Sequence, residues 1–427
     1  MAVHMSTVIS RELGHITEYL SKLQPILSQH PLLYTISVSQ NTRSSDLSTL
    51  VTSLKGLSRG SVGCLSAAIP SAGPPSWRQH TSVSLAAFDE KCATIFRSTI
   101  PGRKATQVGR WHAMHKDVQP DPDEPAHDTD GMPNWDTALS QAYDGQALPA
   151  ELESLRADDV HSILYFSDNA PEGLTSSLSK FGSATKLGLI GTSTPFVTGR
   201  PYTLFHNDRI HSDGAVGVCL SSGTRPTTYS VFPGLEAITR PMIVTSSEGN
   251  LVNSLDNANP SGLLLHALKN HPAVAGTAQG ISPELRLYIG TLQQKAGGHE
   301  LVRLSYIMSG DPSRGSIALD TDAAPAEGAL VQMFLLPPSA SPDVLGEVQK
   351  YSGTTGPRLA FASTSLDEAE ARSLSEEIED NGATVLEDTF LAASENGCIV
   401  SRSAEGESER PWKCAVPGAT MGLQWAA

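Results

Sequence analysis

Apolar positions near the start of the chain recur at helical spacing. Over residues 7–30, Ile9, Leu13, Ile16, Leu20 and Leu23 fall on one face, with Pro25 at a boundary or kink, so the pattern predicts a helix. Residues 32–39 (LLYTISVS) are β-branched and aromatic and read as a strand. Residues 44–57 combine capping Ser and Asp residues with an amphipathic face, and residues 61–70 (SVGCLSAAIP) read as a buried strand. The chain is therefore expected to open helix, strand, helix, strand. Met1 to Met5 stand outside this pattern and read as a remnant before a second start.

Further along, residues 82–99 alternate like a pair of strands. Residues 115–135 are rich in Pro and Asp, lack any period, and read as a long exposed loop, with a helical region after it ending near Leu155. A strong buried strand follows over 161–168, a helix over 174–183, and a strand plus turn over 186–196. Residues 203–223 read as paired strands around the turn Asn207-Asp208. The tract 222–241 is a boundary between halves, giving expected units of 7–225 and 240–427. The second half restarts with two strands around Glu248-Gly249-Asn250 and a helix opened by Asn259 and Pro260. Four alternating strands lie within 284–336, followed by a helix, a strand over 357–364, a charged amphipathic helix ended by Gly382, and two short strands. The expected fold class is α+β, with two similar lobes of mixed or antiparallel sheets flanked by helices.

Composition narrows the function. The chain has 427 residues, 39% hydrophobic and 18% charged, which supports packed cores rather than global disorder. It also has 36 glycines, 28 prolines and only 6% aromatic residues, which favours many turns and short strands over a helical bundle. A formal net charge of −15 disfavours nucleic acid and anionic membrane surfaces as partners. No run approaches the ~18 apolar residues of a membrane-spanning helix. Five dispersed cysteines without a C-x-x-C pair argue against a disulfide framework or a thiolate zinc site, and fit a reducing compartment. The expected location is intracellular: cytoplasmic, or mitochondrial if a targeting segment has been removed.

One loop draws attention for chemistry. Gly191-Thr192-Ser193-Thr194-Pro195 follows a strand, and its backbone N–H groups and hydroxyls suit a carboxylate or phosphate. Pro195 stands where a nucleophile elbow needs its second glycine, so catalysis by Ser193 is disfavoured. His206, Asp208 and His211 are close in sequence, but Asn207-Asp208 has the look of a hairpin tip, so a Ser193–His206–Asp208 relay is also disfavoured. His112, His115 and the carboxylates at 121–130 lack a metal-binding spacing and read as a solvated loop. Arg303, between apolar neighbours in a strand, and Arg200, after a glycine, each need an anion, supplied either by the protein or by a ligand. Cys64 and Cys219 read as small core residues. No phosphate-binding glycine motif is present, so no cofactor is expected, and no metal site is assigned.

Residues 241–268 (PMIVTSSEGNLVNSLDNANPSGLLLHAL), LVRLSYI with Arg303, and GSIALDTDAAPAEGALVQMFLL resemble the C-terminal region of the FIST family, named for F-box and intracellular signal transduction. ILYFSDNA, followed by KLGLIGTSTPFVTGRPYTLFHNDRIHSDGAVGVCL, resembles that family's N-terminal region. The resemblance spans roughly 30–425 as a coarse order of elements and is specific across 186–340. It implies a stand-alone two-part sensory module that binds a small, amino-acid-like ligand. The Cys-Asn-Gly-Arg-Gly segment and Gly-Glu-Ile turn of bacterial members are not seen, so no ligand contact is carried over from them. The expected ligand is small and anionic or zwitterionic, held in a cleft between the lobes by Gly191, Thr192, Ser193, Thr194, Arg200 and Arg303. A hydrolase or lyase using the same cleft, and a scaffold for a protein partner, are the alternatives.

Overall fold

The computed structural model describes residues 2–38, 42–70, 80–100, 148–269, 271, 285–295, 298–310, 315–321, 323–337, 343–350, 356–364, 382–402 and 411–426. The predicted loop over 115–135 and the charged helix before Gly382 lie outside them. The fold is α+β, with its sheets flanked by helices.

The chain opens on a strand, not on the predicted helix. β1 spans Ala2–Ser10, and helix α1 begins only at Leu13 and runs to Leu27, with Pro25 inside it. Ala2 to Met5 are part of β1, and Met5, Val8 and Ile9 are buried in it. The β-branched run Thr7-Val8-Ile9 suits the extended backbone, and strand partners on both sides override the helical spacing.

Among the described residues the first sheet has eleven strands, including β1 and β2 (Leu32–Val38), β3 (Ser61–Ala67) and β4 (Thr81–Phe88) from the start of the chain. To these the rest of the chain adds β11 (Thr227–Val231), β19 (Arg358–Ser363), β20 (Thr384–Glu387), β21 (Thr389–Ser394) and β24 (Thr420–Gln424). The order is β11-β24-β19-β21-β3-β2-β4-β1-β20, and the hairpin of β8 (Leu204–His206) and β9 (Arg209–His211) pairs beside β3. Two halves of this sheet have the same winding. The run β1-β4-β2-β3 and the run β11-β24-β19-β21 each join by two antiparallel pairings and then a parallel one. They meet antiparallel at a single register pair, Ala393↔Ala67. The halves are therefore related by an approximate two-fold axis within one sheet.

The second sheet contains β5 (Ala93–Ser98), β6 (Val160–Ser167), β7 (Thr185–Ile190), β10 (Ala215–Ser221), β22 (Cys398–Ser401) and β23 (Trp412–Cys414), in the order β23-β22-β7-β6-β10-β5. Residues 82–99 do form two strands, but β4 and β5 belong to different sheets and do not pair with each other. The third sheet contains β12 (Glu236–Ala237), β13 (Met242–Glu248), β14 (Leu251–Leu255), β15 (Arg286–Lys295), β16 (Gly298–Gly310), β17 (Ile317–Leu319) and β18 (Leu330–Leu336). Because β18 pairs with both β13 and β15, six of these strands close into a barrel.

Alternation along the strands builds the layers. Leu32, Tyr34 and Ile36 of β2 pack under Ile16, Leu20, Leu23 and Leu27 of α1 and under Leu47, Leu50 and Leu54 of α2 (Ser44–Lys55). Each such side chain contributes about 1.5–3 kcal/mol of burial. Leu33, Val62, Cys64 and Phe88 point the other way and meet Leu164, Phe166, Leu187 and Leu189 of the second sheet in the central core. Phe361, Phe390, Met421 and Leu423 extend that same core. On the far side of the second sheet, Ile163, Tyr165 and Cys219 pack with Leu174 of helix α3 (Glu172–Ser177). Aliphatic residues of the barrel surround Leu264 and Leu268, which come from the helix Pro260–Lys269.

Strand pairing links the stretches on either side of the tract 222–241. Residues 358–424 leave the barrel and supply strands to both sheets built by the first half. Among the described residues no helix is long and apolar enough to cross a membrane.

Candidate functional site

β6 and β7 are adjacent parallel strands linked through α3, and both end at the same edge of the second sheet. Ligands in such sheets bind outside the carboxyl ends of the strands. Asp168 follows β6 and Gly191 follows β7, and β21 of the first sheet brings Glu395 and Asn396 to the same place.

Backbone bonds hold the 191–194 loop from both sheets. Gly191 donates its N–H to the Ser167 carbonyl (2.7 Å) and Thr192 donates to the Leu65 carbonyl (3.3 Å). A Cβ on residue 191 would sit 3.3 Å from the Ser167 carbonyl oxygen, so the strand end fits closely around glycine. Thr194 is fully buried; its hydroxyl donates to the Arg200 carbonyl (3.0 Å) and shares a hydrogen bond with the Thr203 hydroxyl (2.8 Å). Thr194 is therefore a structural tie closing the turn Pro195–Thr198, which we label α4.

The polar face of the loop is already engaged. The Ser193 N–H donates to Glu395 Oε1 (2.7 Å), and the buried Thr192 hydroxyl donates to Glu395 Oε2. Asn396 Nδ2 donates to the Gly191 carbonyl (2.9 Å) and to Glu395 Oε1 (3.2 Å). The loop thus seats a carboxylate, as its donors suggested, but the carboxylate is the protein's own. Gly397 shapes the turn that delivers it, with φ of 85° and a Cβ position only 2.2 Å from the Cys414 carbonyl oxygen, which excludes any side chain.

Asp168 lies beside this cluster, accepting from the Ala170 N–H (2.9 Å) and the Gly214 N–H (2.7 Å). Burial raises the Tyr202 phenol above its ordinary value, and the nearby Asp168 and Glu395 carboxylates raise it further. Lys413 Nζ donates to Asn169 Oδ1 (3.3 Å), so one cation borders the carboxylates.

The remaining expected contacts spread outward. Arg200 is exposed and donates to the Ser212 hydroxyl (2.7 Å). Arg303 is carried by β16 of the barrel, opposite Thr291. Its neighbour Leu304 accepts from Trp412 Nε1 of β23 (3.1 Å). Arg200 is tied to the loop through its carbonyl, which accepts from the Thr194 hydroxyl, and Arg303 stands on a strand of the barrel.

No Ser193–His206–Asp208 relay is assembled. His206 pairs with Val62 near the start of β3, whereas Thr192 is bonded to Leu65. Three residues of strand separate the two positions by about 10 Å. Burial lowers the His206 imidazole below its ordinary value, and Asp208 is exposed at the hairpin tip, where its carbonyl accepts from Lys55 Nζ (3.0 Å). The carboxylate that does reach Ser193 is Glu395. Its sequence signal was Asn396-Gly397 after an apolar run, a turn signature that says nothing of what the turn meets. The histidines and carboxylates of 112–130 lie outside the described residues. Among the described residues no group of three or more His, Cys, Asp and Glu side chains is placed to hold a metal ion.

A comparison with curated proteins gives no match. A family model described as the FIST N domain matches residues 33–258, from within β2 to just beyond β14. That span holds the 191–194 loop and Asp168, while Glu395 and Asn396 come from beyond it. The match covers more than half of the chain, and the protein belongs to the FIST family, a family of sensory domains in signal transduction.

Proposed function

We propose that the protein senses a small zwitterionic, amino-acid-like ligand at the junction of the 191–194 loop and the Glu395–Asn396 turn. One observation carries the reading: the Ser193 N–H and the Thr192 hydroxyl together hold a carboxylate, that of Glu395. A ligand carboxylate taking those donors displaces Glu395, which then meets the ligand's ammonium group. A purely anionic ligand is disfavoured, because it would add a further negative charge beside Glu395 and Asp168. This narrows the ligand to the zwitterionic class. Arg200 and Arg303 are outer contacts in this proposal, beyond the seat itself.

The test is thermal denaturation with a panel of amino acids, dicarboxylates and polyamines. A zwitterion that binds adds about 2.7 kcal/mol of stability at one hundred times its Kd. The expected result is a raised midpoint with at least one amino acid, and a weaker response in Glu395→Gln. Stabilisation by dicarboxylates alone, or by no member of the panel, overturns the proposal.

A further inference from the structure

Two cysteines stand directly across an antiparallel pair, Cys398 of β22 opposite Cys414 of β23. Both are free thiols, both are buried, and both face the central core. The Cys398 thiol donates to the Cys414 carbonyl oxygen (3.9 Å), and the Cys414 side chain is close enough to perturb it. Facing residues of an antiparallel pair have Cα atoms about 4.5–5.5 Å apart, inside the range of about 4.4–6.8 Å that a disulfide spans. The register therefore places the two residues at a backbone separation that a disulfide can span.

The pair is also placed to matter. Cys398 follows Gly397, whose carbonyl accepts the Ile190 N–H at the end of β7. Lys413, next to Cys414, reaches Asn169 beside Asp168. Strand β23 therefore clips the 395–397 turn to the carboxyl end of the second sheet. Among the described residues it is the outermost strand of that sheet, with β22 as its partner.

We propose that Cys398 and Cys414 are a redox-sensitive clasp, oxidised by a hydroperoxide to a reversible cross-strand disulfide that fixes β23 and the 395–397 turn. Opening of the edge strand exposes Cys414 first. Its thiolate attacks a peroxide oxygen, forming an S–O bond and breaking O–O, and with hydrogen peroxide one water leaves. The Cys398 sulfur then attacks the resulting sulfenic sulfur, forming S–S and releasing a second water. The two thiols give up two electrons and the peroxide accepts them. The hydrogen bond to Cys414, with burial, raises the Cys398 thiol well above its ordinary value. Cys398 is therefore the poorer nucleophile while the pair stays closed.

The test treats the full chain with hydrogen peroxide, blocks remaining thiols with N-ethylmaleimide, and maps tryptic peptides by mass. Cleavage after Arg402 and Lys413 puts the two cysteines in separate peptides. The expected product is a Cys398–Cys414 cross-linked pair that dithiothreitol dissolves, with a higher unfolding midpoint in the oxidised form. Cys414→Ser loses the cross-link. Recovery of both cysteines as separate blocked or over-oxidised residues overturns the proposal. A cross-link without a rise in midpoint overturns the clasp. Both readouts use the unmutated chain, so they hold even if the variant does not fold.

Discussion

Replacing Glu395 with alanine removes the acceptor of three hydrogen bonds, from the Ser193 N–H, the Thr192 hydroxyl and Asn396 Nδ2. Ser193 is exposed, so water takes over its N–H at little cost. Thr192 is 5% exposed, and its hydroxyl is left without an acceptor. Hydrogen bonds to a charged group contribute about 1.5–3 kcal/mol, and an orphaned buried donor costs about 1–3 kcal/mol. Counting Thr192 in full and Asn396 in part gives a loss of about 3 kcal/mol. For unfolding of a chain this long, at about 2.1 cal/mol/K per residue, that lowers the midpoint by about 3 °C. Glu395→Gln keeps one oxygen acceptor and loses about 1 kcal/mol. Differential scanning calorimetry at neutral pH separates the two variants. An alanine variant within about 0.5 kcal/mol of the parent, the range of an ordinary surface change, refutes the bonding described at the loop.

Gly397→Ala is expected to be worse than Glu395→Ala. The left-handed backbone costs about 1–2 kcal/mol, and displacing the Cys414 carbonyl 2.2 Å away adds about 1–3 kcal/mol, read as a lowered denaturation midpoint. The pH dependence has a definite sign. Burial lowers the His161 imidazole from its ordinary value of 6.5, against the raising effect of its hydrogen bond to the Ser222 carbonyl. Its stabilising contribution is therefore complete above that value and is lost as pH falls through the lower folded value. His206 and His211 are lowered as well, again chiefly by burial, and act in the same direction. Unfolding midpoints are expected to fall between about pH 7 and pH 5, with a shallower decline in His161→Gln.

The individual elements were legible because periodicity is a local signal. The strands around 161–168, the hairpin at Asn207, whose φ is 52°, and the helix capped by Asn259, which accepts the Gly262 N–H, all stand where the residues suggested. Sheet membership was not legible. Nothing in residues 82–99 says that β4 joins β1 and β2 while β5 crosses to β10. Likewise the strand signal at 357–364 and the two short strands expected after Gly382 do not name their partners, and β21 reaches Ala67 from more than three hundred residues away. The hydroxyl-rich 191–194 loop announced itself by composition. Glu395 did not, because a carboxylate in a turn reads as solvated until the partner strand is known.

The relation between the two halves of the first sheet explains why that turn sits where it does. β3 and β21 occupy equivalent places in two similarly wound runs, and they meet at their carboxyl ends. The meeting point lies beside the end of β7, so loops from distant stretches of sequence share one small volume.

The most direct test is a crystal structure with an amino acid that raises the unfolding midpoint. The account predicts the ligand carboxylate within hydrogen-bond reach of the Ser193 N–H and the Thr192 hydroxyl, with Glu395 turned onto the ammonium. Electron density for the ligand at another place, with Glu395 still bonded to Ser193, contradicts it.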